Sequence, residues 1–486
     1  MSGLVAVLGS AQDRKEALKG MANRLRFRGP YLRKSITGPE YCIGGLDNNP
    51  RKEESEDSVP AFMDGYFYLP EEVETYCGPM GEEKLLKMWN EWGGEVFKQI
   101  DGEFAFALRD QQGQVVLARD PLGVKPLYYA TDGSTVYVAS EIKALADFSL
   151  PIHEVPPGSY SCNGIDWNSF YEVSAIDEDS DISLEEAERR LQEIMFQSVR
   201  EKISGESRFG LYLSGGLDSS VIACVAAEVS PEPVTTFTVG IKGSEDVEYA
   251  REVAEIIGSK HHEYIYDMEE MLEVLPDVIY HLESFDCAYV RSSIPNFLAA
   301  RLAKEEGREV LLTGEGSDEI FAGYSYLKQL DTSEDINREI SRIIKGLSST
   351  GLQRVDRMNS AHGLKCRVPF LKTSLVELTL KIPLSWKLKG YEEDPVDKWI
   401  LRRAFESYLG EGVAWREKQQ FDQGSGSSGM LEEIANKEIS DEEYARESES
   451  AIIPVRNKEE LYYYRIFRRF YPEEVLFLVG RWSRTS

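Results

Sequence analysis

Two glycine-bearing stretches carry the residues best suited to chemistry in this chain, Ser214-Gly215-Gly216-Leu217-Asp218-Ser219-Ser220 and Gly314-Glu315-Gly316-Ser317-Asp318-Glu319. The first follows the apolar run Phe209-Gly210-Leu211-Tyr212-Leu213 and leads into a helix expected from Ser219 to about Val229, the signature of a buried strand feeding a turn and a helix start. Glycines let the backbone approach an anion closely, serine hydroxyls and free amides donate to it, and the helix presents its positive end. Asp218 adds a carboxylate where magnesium bridges to phosphate. No G-x-x-x-x-G-K-[ST] occurs, and the loop is not the dinucleotide G-x-G-x-x-G. The second stretch follows an expected strand at Val310 to Thr313, so Asp218 and Asp318 can face one triphosphate and stabilise a departing pyrophosphate through magnesium. Glu315 lies three residues before Asp318, placed to act as a base toward an amine nucleophile.

These loops need a sheet that brings strand ends to one edge. From Phe209 onward strands and helices alternate: a strand over Val234 to Val239, a helix over Val247 to Ile257, a strand over His262 to Tyr266, helices through Lys304, then Val310 to Thr313. Alternation of this kind implies a parallel sheet with helices on both faces, and ligands of such sheets bind at the carboxyl ends of the strands. The first 170 or so residues read differently, as β-rich runs (Gly3 to Leu8, Phe104 to Leu108, Val115 to Ala118, Val136 to Ala139) divided by Gly, Asp and Asn turns. Glu172 to Ile182 is acidic and poor in apolar residues, as a linker would be, and Ser183-Leu184-Glu185-Glu186 supplies a capping box for a long helix. Past about Gly323 the chain turns helical, with amphipathic segments Ile336 to Leu347 and Leu375 to Leu380. The expected architecture is therefore α/β plus α+β: a β-rich unit over residues 1–172, an acidic linker over 173–182, and a parallel-sheet unit with a helical subdomain over 183–486.

Composition sets outer limits. A length of 486 residues with 42% hydrophobic content supports several sizeable cores. The 55 basic and 84 acidic residues give a net charge of −29, which argues against nucleic acid or an anionic membrane as partner. Cys42, Cys77, Cys162, Cys224, Cys287 and Cys366 form no C-x-x-C pair, so neither a zinc site nor a disulfide framework is indicated, and reduced thiols in a cytoplasmic protein fit best. No charged-then-apolar stretch opens the sequence and no apolar run reaches 18 residues, so neither secretion nor membrane spanning is expected.

Residues 209–220, Thr236 to Gly240, Gly258 to Glu263, Val290 to Pro295, Gly314 to Tyr324, Ala361 to Leu371, Trp415 to Phe421 and Tyr462 to Arg465 together closely resemble asparagine synthetases of the glutamine-dependent type. The resemblance extends to the first unit through Phe104 to Leu108, Ala118 to Tyr129, Ala139 to Leu145 and Pro156-Pro157-Gly158. It implies an N-terminal αββα amidotransferase-like sandwich and a C-terminal adenine-nucleotide pyrophosphatase domain. It further implies that ATP lies against Leu213, Ser214, Gly215, Gly216, Asp218, Ser219, Ser220, Val239, Thr313 and Gly314, with Mg2+ at Asp218 and Asp318. Aspartate would be adenylated with release of pyrophosphate, and ammonia would then displace AMP. By the same resemblance Glu315 supports that chemistry and Lys418 holds phosphate charge, with the Gly424 to Gly429 segment nearby as a closing loop. Asp286 and Arg291 are candidates for the amine and carboxylate of aspartate, since a guanidinium fork suits a carboxylate.

The chain departs from the family in the first unit. Glutamine-dependent members carry Met-Cys-Gly where this chain has Met1-Ser2-Gly3, and a serine hydroxyl is a far poorer nucleophile than a thiol at neutral pH. The family's Asn-Gly-Glu appears as Asp64-Gly65-Tyr66, which puts a carboxylate where an oxyanion needs a donor. The aspartate expected to grip glutamine's amine falls at Gly81 or Glu82, and a family arginine is absent around Cys42 to Asp47, although Arg28-Gly29-Pro30 is kept. The expectation is a sandwich that has lost, or nearly lost, glutaminase activity, Ser2, Asp64 and Gly81 marking the vestige, and a ligase fed by free ammonia. Two alternatives stand beside it. Relatives such as β-lactam synthetases and peptide cyclases close amides on other carboxylates, but those synthetases are expected to use a tyrosine as base at the Glu315 position; an idle scaffold would not need Asp218, Glu315, Asp318 and Lys418. A homodimer and a separate source of ammonia are left open.

Overall fold

The computed structural model describes residues 3–9, 13–32, 35–48, 60–69, 75–178, 181–390, 395–416 and 429–480. In the first unit, strand β1 (Gly3–Gly9) sends Leu4, Ala6 and Leu8 into one core and Val5 and Val7 into another, the period-2 alternation of a strand covered on both faces. The Val5 and Val7 side meets Leu18, Met21, Ala22 and Leu25 at helix α1 (Arg14–Arg24). β1 pairs antiparallel with β2 (Tyr41–Asp47) and with Thr135–Ala139 in a seven-stranded sheet. The other core is shared with a six-stranded antiparallel sheet built on β3 (Ala61–Tyr68), on which helix α2 (Gly78–Trp92) lays Leu85, Met88 and Trp89, and on the paired strand β4 (Asp101–Arg109). The layers thus run helix, sheet, sheet, helix.

The stretch before the second unit is not a free tether. Tyr171, Val173 and Ile176 pack on the core of the second unit, the Asp177 amide donates to the Leu380 carbonyl at 3.2 Å, and Glu178 accepts from the Leu384 amide at 3.1 Å. Its composition conceals this because three apolar side chains, one backbone hydrogen bond and one side-chain acceptor suffice to dock it. The long helix α3 (Leu184–Ile203) then starts where Ser183 accepts the Glu186 amide at 3.2 Å.

Strand β5 (Phe209–Tyr212), helix α4 (Leu217–Val229), strand β6 (Thr235–Gly240), helix α5 (Glu245–Ile257), strand β7 (Lys260–Ile265), helix α6 (Cys287–Glu305), strand β8 (Val310–Leu312), helix α7 (Gly351–Ser360), strand β9 (Lys365–Arg367) and helix α8 (Trp399–Leu409) follow in chain order. The strands form a parallel sheet in the order β7-β6-β5-β8-β9, with Leu211 opposite both Thr236 and Leu312. α4 begins two residues before the expected Ser219 because Gly216, with extended φ −72° and ψ 160°, is its N-cap. Ser219 through Ala226 are all buried, so this helix is sealed under the sheet and its sequence has no polar face. The two expected amphipathic helices occur as Ser333–Lys345 and Thr373–Lys381; the first gains a turn because Thr332 caps it through the Asp335 amide. Among the described residues no helix is long and apolar enough to cross a membrane.

Candidate active site at the carboxyl edge of the parallel sheet

The register of β5, β6 and β8 brings Leu213, Val239 and Thr313 to the same edge, and both glycine loops leave from it. Gly215 has φ +69°, open to glycine and strained for other residues, and a Cβ there would lie 2.5 Å from the Tyr249 carbonyl carbon and 2.6 Å from the Ala250 amide. The turn is therefore pressed against α5. Ser219 braces it from inside: its hydroxyl accepts the Ser214 amide at 3.2 Å and donates to the Gly216 carbonyl at 3.1 Å. Ser220 Oγ is buried with no partner among the described residues. Gly314 lies so close to the first loop that a Cβ would meet Asp218 Cβ at 2.9 Å, so the two stretches touch.

Asp218 and Asp318 converge on one cation. Lys398 Nζ donates to Asp218 Oδ1 and Oδ2 at 2.7 and 2.6 Å and lies 2.6 Å from Asp318 Oδ1, while Ser317 Oγ donates to Asp218 Oδ1 at 2.7 Å. The lysine reaches them from the residue before α8, held at φ +52°, and passes Gly323 so closely that a Cβ there would sit 2.1 Å from Lys398 Cε. Burial alone would pull its pKa down, but Asp218 and Asp318 outweigh burial and hold it above the usual lysine value. The carboxylates keep 24% and 25% of their side chains exposed, so each has oxygen surface left for a second cation. Magnesium is bound through one or two carboxylates together with substrate phosphates, and this pair of hard oxygen ligands fits that description.

Glu315 points the other way. Arg354 Nη2 donates to Glu315 Oε2 at 2.6 Å, and the first residue of α7, Gly351, leaves no room for a side chain: a Cβ would meet Glu315 Oε1 at 2.1 Å. Glu319, buried behind both acids, accepts from Tyr324 Oη at 2.6 Å. Burial first, then the Glu315 and Asp318 charges, push its carboxyl up to about 8, so it is protonated at neutral pH.

Arg416 ties the segment ahead of Lys418 to the first loop. Its Nη1 donates to the Gly215 carbonyl at 2.7 Å, and its guanidinium lies 3.2 Å from the centre of the Tyr249 ring. Lys418 itself and the Gly/Ser segment through Ser428 lie outside the described residues, as does Ser2. Asp286 and Arg291 are engaged elsewhere. Asp286 caps α6 through the Tyr289 amide at 3.1 Å and pairs with Arg456 at 2.7 Å, and Arg291 is 3.5 Å from Glu459, so both tie the C-terminal helices to α6.

In the first unit Arg28 is buried and engaged by three acids: Asp64 at 3.0 Å, Glu141 at 2.6 Å and, from α7, Asp356 at 2.6 Å. Lys143 with Glu283 at 3.0 Å and Arg357 with Glu283 at 2.9 Å continue the network across the two units. A Cβ on Gly81 would lie 2.9 Å from the Tyr76 carbonyl carbon, and Glu82 Oε1 accepts the Met63 amide at 3.3 Å.

Sequence reasoning missed Lys398, Arg354 and Gly323. Gly323 falls within the Gly314 to Tyr324 resemblance, and its glycine is the one local signal that a side chain crosses there; Lys398 and Arg354 carry no local mark.

The family model described as asparagine synthase matches residues 190–352 and 328–482, and that described as a glutamine amidotransferase domain matches residues 72–147. A probable asparagine synthetase (glutamine-hydrolyzing) of Dictyostelium discoideum is 33% identical over 100% of this chain and 96% of its own length. One from Schizosaccharomyces pombe is 35% identical over 99% of this chain and 96% of its own, and asparagine synthetase (glutamine-hydrolyzing) 2 of Arabidopsis thaliana is 32% identical over 97% and 88%.

Proposed function

The chain belongs to the asparagine synthetase family of carbon–nitrogen ligases, and from that premise we propose that it adenylates aspartate with ATP at the carboxyl edge of its parallel sheet and amidates the product with free ammonia. The observation that carries the reading is the contact of the two loops, with Asp218 and Asp318 converging on Lys398 and Glu315, on the second of these loops, held by Arg354. The Gly215 turn and the amino end of α4 cradle phosphate oxygens. Asp218 and Asp318 would hold Mg2+, which when bound would supply positive charge against the leaving pyrophosphate. Lys398 keeps the two carboxylates together and balances their charge before substrate arrives.

In the first half-reaction a β-carboxylate oxygen of aspartate bonds to the α-phosphorus of ATP, and the bond from that phosphorus to the pyrophosphate oxygen breaks. In the second, the lone pair of ammonia attacks the acyl carbon, the bond to AMP breaks, and Glu315 takes a proton from the attacking nitrogen. Lys418 is assigned to phosphate charge, delivered by a segment that Arg416 anchors on the Gly215 turn. N-terminal to it, the αββα layers are assigned the amidotransferase-like fold, with residues 1–172 and 183–486 as the two domains.

Free ammonia is favoured by the first unit. Arg28, the residue kept from the glutamine site, is consumed by Asp64, Glu141 and Asp356, and the Asp64 carboxylate stands in place of an oxyanion donor. The test is pyrophosphate release from ATP and aspartate, with ammonium chloride or glutamine in parallel. Release dependent on ammonium is expected; glutamate formed in step with asparagine would overturn the donor, and no release with aspartate would overturn the acceptor.

A further inference from the structure

Gly480 presses its backbone against the turn on which Glu315 rests. A Cβ on Gly480 would lie 2.1 Å from the Ser349 carbonyl oxygen, a place that only a residue without a side chain can take. On its other side the Gly480 carbonyl accepts Ser284 Oγ at 3.2 Å, and Ser284 is wholly buried. The stretch that leads to Gly480 is fixed as well: in the short 3-10 turn Glu473–Leu478, Val475 and Leu476 are buried in a core that also holds Ile152 of the first unit. Gly480 is therefore clamped between Ser284 and Ser349.

Two residues beyond Ser349 the chain reaches the site. Glu315 has one oxygen on Arg354 Nη2 at 2.6 Å and the other against Gly351, where a Cβ would meet it at 2.1 Å. Both contacts come from the first turn of α7, so the start of that helix sets where the carboxylate lies. The turn ahead of it is braced: the Ser349 amide and Thr350 Oγ1 both donate to the Gly346 carbonyl, at 3.3 and 2.9 Å. Gln353 Nε2 donates to the Leu282 carbonyl at 2.8 Å, so the stretch 282–284 anchors the helix start and Gly480 alike. A push at Ser349 is then handed on to Gly351, because the braced turn has little freedom to absorb it.

From this we infer that Gly480 is a positioning residue for amidation: pressed on Ser349 and pinned by Ser284, it seats the start of α7 so that Glu315 meets the attacking nitrogen. This rests on the reading of Glu315 as the group that takes a proton from ammonia. Proton transfer needs the base within hydrogen-bond reach, and a misplacement of about 1 Å can cost about 10²-fold. Adenylation makes no use of that proton, so the two half-reactions should respond differently.

Gly480→Ala in the full chain forces a carbon against the Ser349 carbonyl. Asparagine formation from ATP, aspartate and ammonium chloride should fall ~10- to 100-fold, while aspartate-dependent exchange of pyrophosphate into ATP, run without ammonium, stays within about twofold. Ser284→Ala releases Gly480 without adding an atom and should lower the ratio of asparagine formation to exchange in the same direction, by ~2- to 10-fold. In a Glu315→Gln background, Gly480→Ala should lower asparagine formation by less than about a further twofold, since no base is left to misplace. Equal losses in exchange and in asparagine formation would mark a general loosening and overturn the assignment. So would unchanged asparagine formation in either single variant, or losses that multiply when Gly480→Ala is joined to Glu315→Gln. If Glu315→Gln alone forms asparagine at the unaltered rate, it is the reading of Glu315 that fails, and the inference falls with it.

Discussion

Replacing Lys398 by methionine removes the ammonium and keeps most of the stem that crosses Gly323. The free protein then holds Asp218 and Asp318, which had converged on one cation at 2.6 to 2.7 Å, with no charge between them. Breaking a wholly buried ion pair costs about 3–5 kcal/mol. Here each carboxylate is about a quarter exposed and water takes up part of the surplus charge, so the loss is ~1–3 kcal/mol, a fall of ~2–8 °C in the unfolding temperature of this unit. Because the surplus is negative and open on one side, millimolar MgCl2 should recover much of that fall in Lys398→Met and little in the unaltered protein. Turnover should drop ~10²–10³-fold, the size of effect of removing one preorganised donor from a site where charge develops. Differential scanning fluorimetry with and without magnesium, followed by a coupled pyrophosphate assay, reads all three. A variant that melts within a degree of the unaltered protein, shows no added response to magnesium and turns over within threefold would refute the role assigned to this lysine.

Other outcomes follow from the same geometry. Glu315→Gln, which keeps the shape and the hydrogen bond to Arg354, should lower amide formation ~10²–10⁴-fold in an asparagine assay while ATP still protects the protein against heat. Gly215→Ala puts a Cβ 2.5 Å from the backbone of α5 at φ +69°; calorimetric titration should show ATP binding at least tenfold weaker, and unaltered affinity would mean that the turn yields freely. Glu319 has a folded pKa raised from 4.5 to about 8, so the stability it contributes is complete below pH 4.5 and is lost as pH rises through 8. Urea unfolding of the unaltered protein should weaken between pH 5 and 8.5 by at most ~1.4 kcal/mol per pH unit from this group, and Glu319→Gln should remove that slope; superimposable profiles count against it. Ser2→Cys alone should release no glutamate from glutamine, because Arg28 stays locked by Asp64, Glu141 and Asp356.

The two glycine loops were legible because their chemistry is local: glycine at Gly215, apolar strand before it, helix after it. The parallel sheet was legible from the alternation that follows Phe209. The docking of 173–178 does not show in its acidic composition, because a few apolar contacts and one backbone hydrogen bond, from Asp177 to Leu380, are enough to hold it. Lys398 was invisible for a different reason: nothing in Val396-Asp397-Lys398-Trp399 says that the lysine turns left-handed and runs past a glycine 75 residues away. Arg354 lies in an ordinary helical pattern, and its partner at 2.6 Å is 39 residues distant. The ends of helices shifted by two or three residues where caps such as Gly216 and Thr332 set the start, which a hydrophobic pattern does not register.

The charges between the two units bear on how such a chain can change over generations. A boundary between domains is usually a seam where one part can be exchanged or discarded. Here Arg28 on one side and Asp356 on the other are each buried and each spoken for, and Glu283 serves both Lys143 and Arg357. Dropping the first unit would strip Asp356 of Arg28 and Lys125 and Glu283 of Lys143, leaving Arg357 between two buried carboxylates. The first unit is therefore held in the gene by its partner's need for neutrality, whatever reaction it does or does not perform, and substitutions across this boundary are expected to come in compensating pairs.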